Sequence, residues 1–267
     1  MKVTYRFYPG GKTKALTMSY DDGQIHDRRL VEIFNRYGIK GTFHLNAGTL
    51  DKEPFINASE VRDLYRGHEV ASHSKSHPFL SLVPREQLIE EIMEDRKRLE
   101  ALAGYPVRGF SYPFGDYNES LMMQLTTLGI DYARTVQSHG DFRPPANFMT
   151  WHPTCHHNHG LMDLLERFKV NSPWNRMPLF YVWGHSYEFN RENNWDLMEE
   201  FCKRASHDDS VWYATNIELY DYFQGLRSLR FSVDRKMIFN PSGISVWVDV
   251  DGQAVEIKPL ETLSIGG

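Results

Sequence analysis

The sequence has little cysteine, no long apolar run and no excess of basic residues. Its 267 residues include two cysteines, Cys155 and Cys202, which cannot supply a disulfide framework. No apolar run reaches the roughly 18 residues of a membrane-spanning helix, so we expect none. Lysine and arginine number 30 against 35 acidic residues, which gives a net charge of −5. We therefore expect neither nucleic acid nor a membrane as a partner.

The first residues, MKVTYRFYPGGKTK, include lysine but lack the apolar stretch of a secretory signal. This pattern predicts a cytoplasmic location, or a secreted one if a leader was trimmed from the sequence. Histidine and aromatic residues are abundant, with 12 histidines and 13% aromatics. The sequence gives no indication of the oligomeric state.

Over the first 225 residues, short β-rich segments alternate with helical patterns. The predicted strands are 14–22, 40–46, 68–74, 108–114, 131–136, 178–185 and 211–216. Apolar residues at helical spacing predict helices over 30–37 and 84–104, and after Asn118 and Asn194. Such alternation is typical of an α/β protein with a parallel sheet that is closed, or nearly closed, into a barrel. In parallel barrels the working residues lie at the carboxyl ends of the strands.

The pattern changes to strands alone near residue 225. Apolar side chains alternate over residues 244–250, and Asp251 with Gly252 forms a typical hairpin turn. We predict a domain over 1–225 and a small C-terminal all-β appendage over 226–267. The appendage is too small to be stable alone, so we expect it to pack on the barrel.

Polar residues collect at the predicted strand ends. Asp21 and Asp22 end the first strand, and His73 and His77 follow the third in an H-x-x-x-H spacing. Neighbouring side chains alternate at a strand end, so one carboxylate can bind a metal while the other faces a reacting water. One carboxylate and two imidazoles form a three-ligand face that suits one divalent catalytic metal ion. This ligand set favours zinc, although cobalt, nickel, iron and manganese can use the same ligands.

These motifs resemble the polysaccharide deacetylases of carbohydrate esterase family 4. The matching segments are SYDDG (19–23), HSKSH (73–77), SYPFG (111–115) and WGHS (183–186). The resemblance covers most of residues 14–220. It implies a distorted (β/α)7 barrel, which agrees with the seven predicted strands.

The resemblance also implies a role for each matching residue. Asp22, His73 and His77 look like the metal ligands. Asp21 looks like the general base that acts on water, and His185 looks like the general acid that protonates the leaving amine. A carboxylate beside a metal can take a proton from water, and histidine titrates in the range needed to deliver one to nitrogen.

Aromatic residues flank the same strand ends. The backbone N–H of Phe114 would help to hold the oxyanion, as the resemblance implies. Tyr112, Trp183 and Tyr187 are candidates for substrate contact, because aromatic faces stack on sugar rings. The alternative for these side chains is packing within the barrel.

The sequence departs from the family pattern at several positions, which indicates a divergent subfamily. Ser111 stands where many members carry an arginine that holds the catalytic aspartate. Arg134 on the next strand is our candidate for that task, in preference to Arg108, and its alternative is a structural ion pair. The Asp/Trp pair that usually orients the acid histidine is not visible. Glu188, three residues after the acid histidine, is a candidate to orient it.

Residues 151–159 hold four histidines and one cysteine. This cluster could form a second metal site, shape the first site, contact substrate or simply pack. A nucleophilic Cys155 activated by His156 or His157 is a further alternative, which would require a lowered thiol pKa.

We expect a metal-dependent hydrolase that removes an acetyl group from an N-acetylated or O-acetylated carbohydrate. One alternative is an amidohydrolase acting on a small linear or cyclic amide, and another is a non-catalytic carbohydrate-binding barrel. The presence of both Asp21 and His185 favours an enzyme, because a pure binder needs neither. The sequence leaves open the identity, chain length and linkage of the acetylated saccharide.

Overall fold

The computed structural model describes residues 2–170 and 176–265. The strands are β1 (Val3–Thr4), β2 (Lys14–Asp22), β3 (Gly41–Leu45), β4 (Glu69–Ser72), β5 (Gly109–Ser111), β6 (Tyr132–Arg134), β7 (Cys155–His156), β8 (Leu179–His185), β9 (Val211–Tyr213), β10 (Arg230–Phe231), β11 (Met237–Phe239), β12 (Val246–Val250), β13 (Gln253–Ile257) and β14 (Thr262–Ser264). The helices are α1 (Asp27–Tyr37), α2 (Val61–Leu64), α3 (Arg85–Ala103), α4 (Glu119–Thr127), α5 (Leu161–Lys169), α6 (Ser186–Arg191), α7 (Trp195–Ala205) and α8 (Asn216–Ser228).

Eight parallel strands form the main sheet, in the order β6-β5-β4-β3-β2-β8-β7, with β9 beside the first residues of β2. The segment 151–157, which contains β7, connects β6 to β8. Its Trp151 bridges to Arg134 at the end of β6, and its Cys155 and His156 pair with β8. The sheet therefore curls into the distorted (β/α)7 barrel that the sequence predicts, and the fold class is confirmed.

Each of the seven predicted strands overlaps an observed strand, and the four predicted helices correspond to α1, α3, α4 and α7. The sequence patterns do not predict β7, which has two residues, or the helices α2, α5, α6 and α8. A two-residue strand leaves no alternation to detect, and its Cys-His sequence has no strong strand preference.

Helix α1 shows how the sequence sets the layers of the fold. Its Leu30 and Phe34 are fully buried, and the Phe34 ring packs 6.3 Å from the ring of Phe43 on β3. Burying a large apolar side chain contributes about 1.5–3 kcal/mol. The helix ends at Gly38, whose left-handed backbone (φ 64°) lets its N–H bond to Asn35 and turn the chain toward β3.

The C-terminal strands form two small antiparallel sheets, β1-β12-β13 and β10-β11-β14. Strands β12 and β13 are joined by the predicted hairpin turn, with positive φ at both Asp251 (49°) and Gly252 (90°). Val246 and Val248 of β12 are buried in the same cluster as Tyr222 of α8, so the appendage packs on the barrel. Strand β1 belongs to the appendage's sheet. The division at residue 225 stays a prediction.

No helix in the described part of the chain is both long enough and apolar enough to cross a membrane.

Candidate metal centre and active site

Parallel register places three polar side chains at one level of the barrel. Asp21 on β2 lies beside His44 on β3 and beside His185 on β8. All three lie at or near the carboxyl ends of their strands, where parallel barrels collect working residues. The sequence alone predicts that strand ends converge, but only the register shows which residues face one another.

Asp22, His73 and His77 bring their ligand atoms together. The Oδ1 atom of Asp22 lies 3.8 Å from Nε2 of His73 and 3.9 Å from Nε2 of His77. All three ligand atoms lie within 4.8 Å of one another. One carboxylate oxygen and two imidazole nitrogens, with His73 buried and the other two partly exposed, fit a divalent ion that keeps open positions.

The buried imidazole of His73 is prepared as a neutral ligand. Its Nδ1 lies 2.8 Å from the carbonyl oxygen of Ser111 and 2.6 Å from the Ser111 hydroxyl, so Nε2 is the atom directed toward Asp22. Burial lowers the pKa of His73 to about 3 despite the opposing charge of Asp21. A neutral imidazole held by its second nitrogen is the usual arrangement of a metal-binding histidine.

Four residues other than glycine have left-handed backbone around this site. They are Asp22 (φ 80°), Ser74 (φ 64°), His77 (φ 58°) and Phe114 (φ 59°). Such conformations cost on the order of 1–3 kcal/mol each and persist only where the surroundings hold them. Their grouping here shows that the fold holds the ligand loops in a set geometry.

Asp21 is buried and has contacts on several sides. The Ser111 hydroxyl donates to its Oδ1 at 3.1 Å, the Arg134 guanidinium donates to its Oδ2, and Nδ1 of His44 lies 3.4 Å from Oδ1. Burial alone would raise the pKa of Asp21, but Arg134, His73 and His44 together lower it well below the usual range. The group is therefore a carboxylate at neutral pH.

Arg134 is the buried cation beside this carboxylate. It is fully inaccessible, its guanidinium lies 4.5 Å from the centre of the Trp183 ring, and it donates to the carbonyl oxygen of Thr135 at 3.2 Å. Arg108 lies elsewhere and pairs with Asp131 and Asp221. The structure thus places Arg134, and not Arg108, against the carboxylate of the predicted base.

His185 lies across β2 from His44 and near a second acidic group. Its Nδ1 is 3.4 Å from Oε2 of Glu188. Burial lowers the pKa of His185, but Glu188, Asp21 and Asp22 outweigh burial and raise the pKa above its usual value. A histidine that holds its proton near neutral pH suits the role of an acid.

The predicted aromatic contacts occupy different settings. Phe114 is 54% exposed and packs against His77, with ring centres 4.4 Å apart. Tyr187 is partly exposed, with its ring 5.2 Å from that of His185. Trp183 is 9% exposed, and its Nε1 donates to Ser138 at 3.2 Å.

The predicted substrate contact of Tyr112 does not agree with its position. Its side chain is 1% exposed and donates a hydrogen bond to the carbonyl oxygen of Met149 at 2.9 Å. The ring also stacks on Tyr117. Tyr112 therefore packs within the protein, where no substrate reaches it.

The histidine-rich segment divides into separate contacts. His152 bonds to Thr135, whereas His156 and His157 approach Glu188. Cys155 is buried, and burial raises its thiol pKa to about 12, which does not suit a nucleophile.

Sequence reasoning missed His44 as part of the site. The signal was a single histidine near the end of an otherwise apolar strand, one strand away from Asp21. Its Nδ1 approaches both Ser19 and Asp21, while its buried Nε2 has no hydrogen-bond partner among the described residues.

Fold and site together define a parallel α/β barrel with a candidate metal centre at the carboxyl ends of its strands. Residues 9–133 match the family model described as polysaccharide deacetylase, in agreement with the resemblance that the motifs indicate. The matched range includes the first three motifs and ends before Arg134 and His185.

Curated relatives match over part of their length. A peptidoglycan-N-acetylglucosamine deacetylase of Bacillus cereus is 25% identical over 127 residues, which are 47% of this chain and 45% of that protein. Chitin deacetylase 1 of Cryptococcus neoformans is 25% identical over 51% of this chain and 28% of its own length. The matched segment thus spans less than half of these relatives.

Solved structures agree on the fold. A polysaccharide deacetylase-family protein from Mycobacterium smegmatis aligns with a TM-score of 0.63 at 16% identity, over 85% of this chain and 96% of that chain. The Xyl-CE4 domain of a multidomain xylanase, from a Trinervitermes trinervoides hindgut metagenome, aligns with a TM-score of 0.54 at 18% identity, over 79% and 92%.

Ser111 provides a first prediction, because its hydroxyl touches both His73 and Asp21. We expect Ser111→Ala to weaken zinc affinity by about 10- to 100-fold, the usual cost of losing a group that orients a metal ligand. Isothermal titration with zinc measures the effect. Ser120→Ala, on the exposed side of α4, is the control. Equal zinc affinity in Ser111→Ala and wild type would contradict the prediction.

Proposed function

We propose that the protein hydrolyses the acetyl group of an acetylated carbohydrate and that a divalent metal, zinc by preference, is its cofactor. The observation that supports this most directly is the pairing of two carboxylates with different surroundings on adjacent residues. Asp22 converges with two histidines, while buried Asp21 is held apart by Arg134 and Ser111. The Asp22 carboxylate is thus available to bind a metal, and the Asp21 carboxylate is available to accept a proton.

Asp22, His73 and His77 are the residues that would hold the ion. When bound, a divalent ion polarises the acetyl carbonyl and makes a nearby water more acidic. Asp21 is the base in this proposal, because its low pKa keeps it ionised and its Oδ2 lies 3.8 Å from Nε2 of His73. Arg134 and Ser111 orient the Asp21 carboxylate and stabilise its charge.

His185 is the acid in this proposal. An amide nitrogen leaves only after it gains a proton, whereas the alkoxide of an ester leaves more readily. The surroundings of His185 raise its pKa and so favour the protonated imidazole that such a step needs. The register of β2 and β8 places this group on the strand next to Asp21.

The test is acetate release from N-acetylated chito-oligosaccharides and O-acetylated xylo-oligosaccharides by zinc-reconstituted protein. We expect release from at least one substrate, loss of release with a chelator, and recovery when zinc is added back. Asp22→Asn should abolish release and weaken zinc binding. Asp196→Asn, which changes an exposed carboxylate in the first turn of α7, should retain both.

Two results would contradict the proposal. Release that persists in Asp22→Asn would exclude this metal centre. No release from any saccharide, with one zinc bound per chain, would exclude the carbohydrate substrate and direct the search to small linear and cyclic amides.

A further inference from the structure

We propose that Glu188 is the positioning residue for His185 and that His156 holds Glu188 in place. This inference rests on the proposed function, in which His185 is the acid.

Glu188 is tied to His185 by the start of helix α6. His185 is the N-cap of this helix, and Glu188 is its third residue. The backbone N–H of His185 donates to Oε2 of Glu188 at 3.1 Å, and the same oxygen lies 3.4 Å from Nδ1 of the His185 ring. The first bond fixes the carboxylate, and the second contact is a close approach without a hydrogen bond, so the helix itself sets the distance between the two side chains.

A second element fixes the other side of the carboxylate. Nε2 of His156, on β7, lies 3.0 Å from Oε2 of Glu188. The backbone N–H of Asn158 donates to Nδ1 of His156 at 3.3 Å, which leaves the proton of the neutral ring on Nε2. Arg191 approaches the remaining oxygen, Oε1, at 3.5 Å. Nε2 of His157 lies 3.5 Å from Oε2, and Glu188 is 8% exposed, so these contacts are its principal surroundings.

The same contacts decide against a second metal site at this cluster. His156, His157 and Glu188 have ligand atoms within 4.8 Å of one another. A metal bound through Nε2 of His156 would require its Nδ1 to carry the proton and donate it, but Nδ1 accepts from Asn158. The ring of His157 is held by packing: it stacks on Tyr20 and Phe189 and lies directly against Gly184.

The contacts predict a dependence on the leaving group. If Glu188 acts through His185, its loss should matter only where the leaving group needs a proton. An N-acetylated sugar releases an amine and needs the acid. An aryl ester such as 4-nitrophenyl acetate releases a stable phenolate and does not.

The experiment compares Glu188→Gln with wild type on both substrates, with zinc bound. We expect kcat for the N-acetylated sugar to fall by about 10- to 100-fold, a fraction of the 10²–10⁴ that general acid catalysis supplies. We expect kcat for the aryl ester to stay the same. Glu192→Gln, one helical turn further on and 39% exposed, is the matched control and should change neither.

His185→Ala completes the test. In that background Glu188→Gln should add no further loss, because two residues that act as one unit are not additive. His156→Phe removes the donor to Glu188 without touching the carboxylate, and it should show the same selectivity if Glu188→Gln fails to fold. Thermal denaturation verifies the fold of each variant.

The outcomes separate the inference from the function on which it rests. If His185→Ala slows the sugar alone but Glu188→Gln slows both substrates or neither, the positioning role is wrong and the proposed acid stands. Losses that add in the double variant also overturn the positioning role. If His185→Ala slows both substrates equally, the acid step itself is wrong, and the positioning role falls with it.

Discussion

Asp21→Asn is expected to lower kcat for acetate release by about 10²–10⁴-fold, the range that a general base supplies. The substitution keeps the size of the side chain and removes its ability to accept a proton. Zinc affinity should change far less, because Asp22, His73 and His77 remain. Single-turnover acetate release and zinc titration on the same preparation measure the two effects separately.

The control for this prediction is Asp196→Asn, which should retain full activity. An Asp21→Asn protein that loses zinc together with activity would show that Asp21 acts as a ligand. An active Asp21→Asn protein would exclude it as the base. Either result would require a different assignment of the two adjacent carboxylates.

Arg134→Met is expected to cost about 3–5 kcal/mol in the free energy of unfolding, because it leaves the buried Asp21 carboxylate without its partner. The methionine fills much of the space under Trp183 but carries no charge. Urea denaturation at pH 7 measures the loss. The matched control is Arg143→Met, whose partner Asp141 lies 3.1 Å away on the surface, where such pairs are worth about 0–1 kcal/mol.

The double variant Asp21→Asn/Arg134→Met tests whether the two buried charges stabilise the fold as a pair. It removes both charges, so it should recover part of the stability that Arg134→Met loses, and a double-mutant cycle measures the coupling. Equal costs for Arg134→Met and Arg143→Met would show that the buried pair adds nothing to stability. Activity should remain low in the double variant, because the proposed base is absent.

The same pair predicts a pH dependence of stability. The pKa of Asp21 is lower in the folded protein than in the unfolded chain, so its contribution is present above the unfolded value of about 3.9 and is lost as pH falls toward the folded pKa. In Arg134→Met the main cause of the lowering is gone. Burial then raises the pKa of Asp21 in the variant, so protonation of Asp21 stabilises the folded variant relative to its unfolded chain as pH falls. Wild type keeps its full contribution over the same range, so the difference in the free energy of unfolding between the two proteins should narrow between pH 7 and pH 4.

The sequence predicted the fold because its signals are local and repeated. Seven β-rich segments and four amphipathic helices lie where the patterns place them, and alternation of strands and helices permits few topologies. Strand β7 was not predicted from the sequence because its two residues adopt strand conformation only through their pairing with β8. That pairing depends on contacts between residues about 27 positions apart, as between Cys155 and Val182.

The candidate site likewise has one part that the sequence predicts and another that only the structure shows. The motifs predict Asp21, Asp22, His73 and His77 as site residues, because the carboxyl ends of parallel strands meet at one edge of a sheet. The surroundings of Asp21 depend on register and side-chain direction, so His44 and the hydroxyl of Ser111 emerge only from the structure. Tyr112 is a motif residue at a strand end that the sequence predicts as a substrate contact, but in the structure its side chain is buried.

The segment that completes the barrel has a consequence for local unfolding. Strand β2 meets β8 over seven register positions, whereas β7 meets β8 over two and Trp151 meets β6 through a single bridge. Opening of the barrel along residues 151–157 is therefore expected to cost less than opening between β2 and β8. Amide hydrogens of Trp151, Thr154 and His157 should exchange with solvent sooner than those of β2. His156, which holds Glu188, thus lies on a part of the barrel that opens more readily than β2.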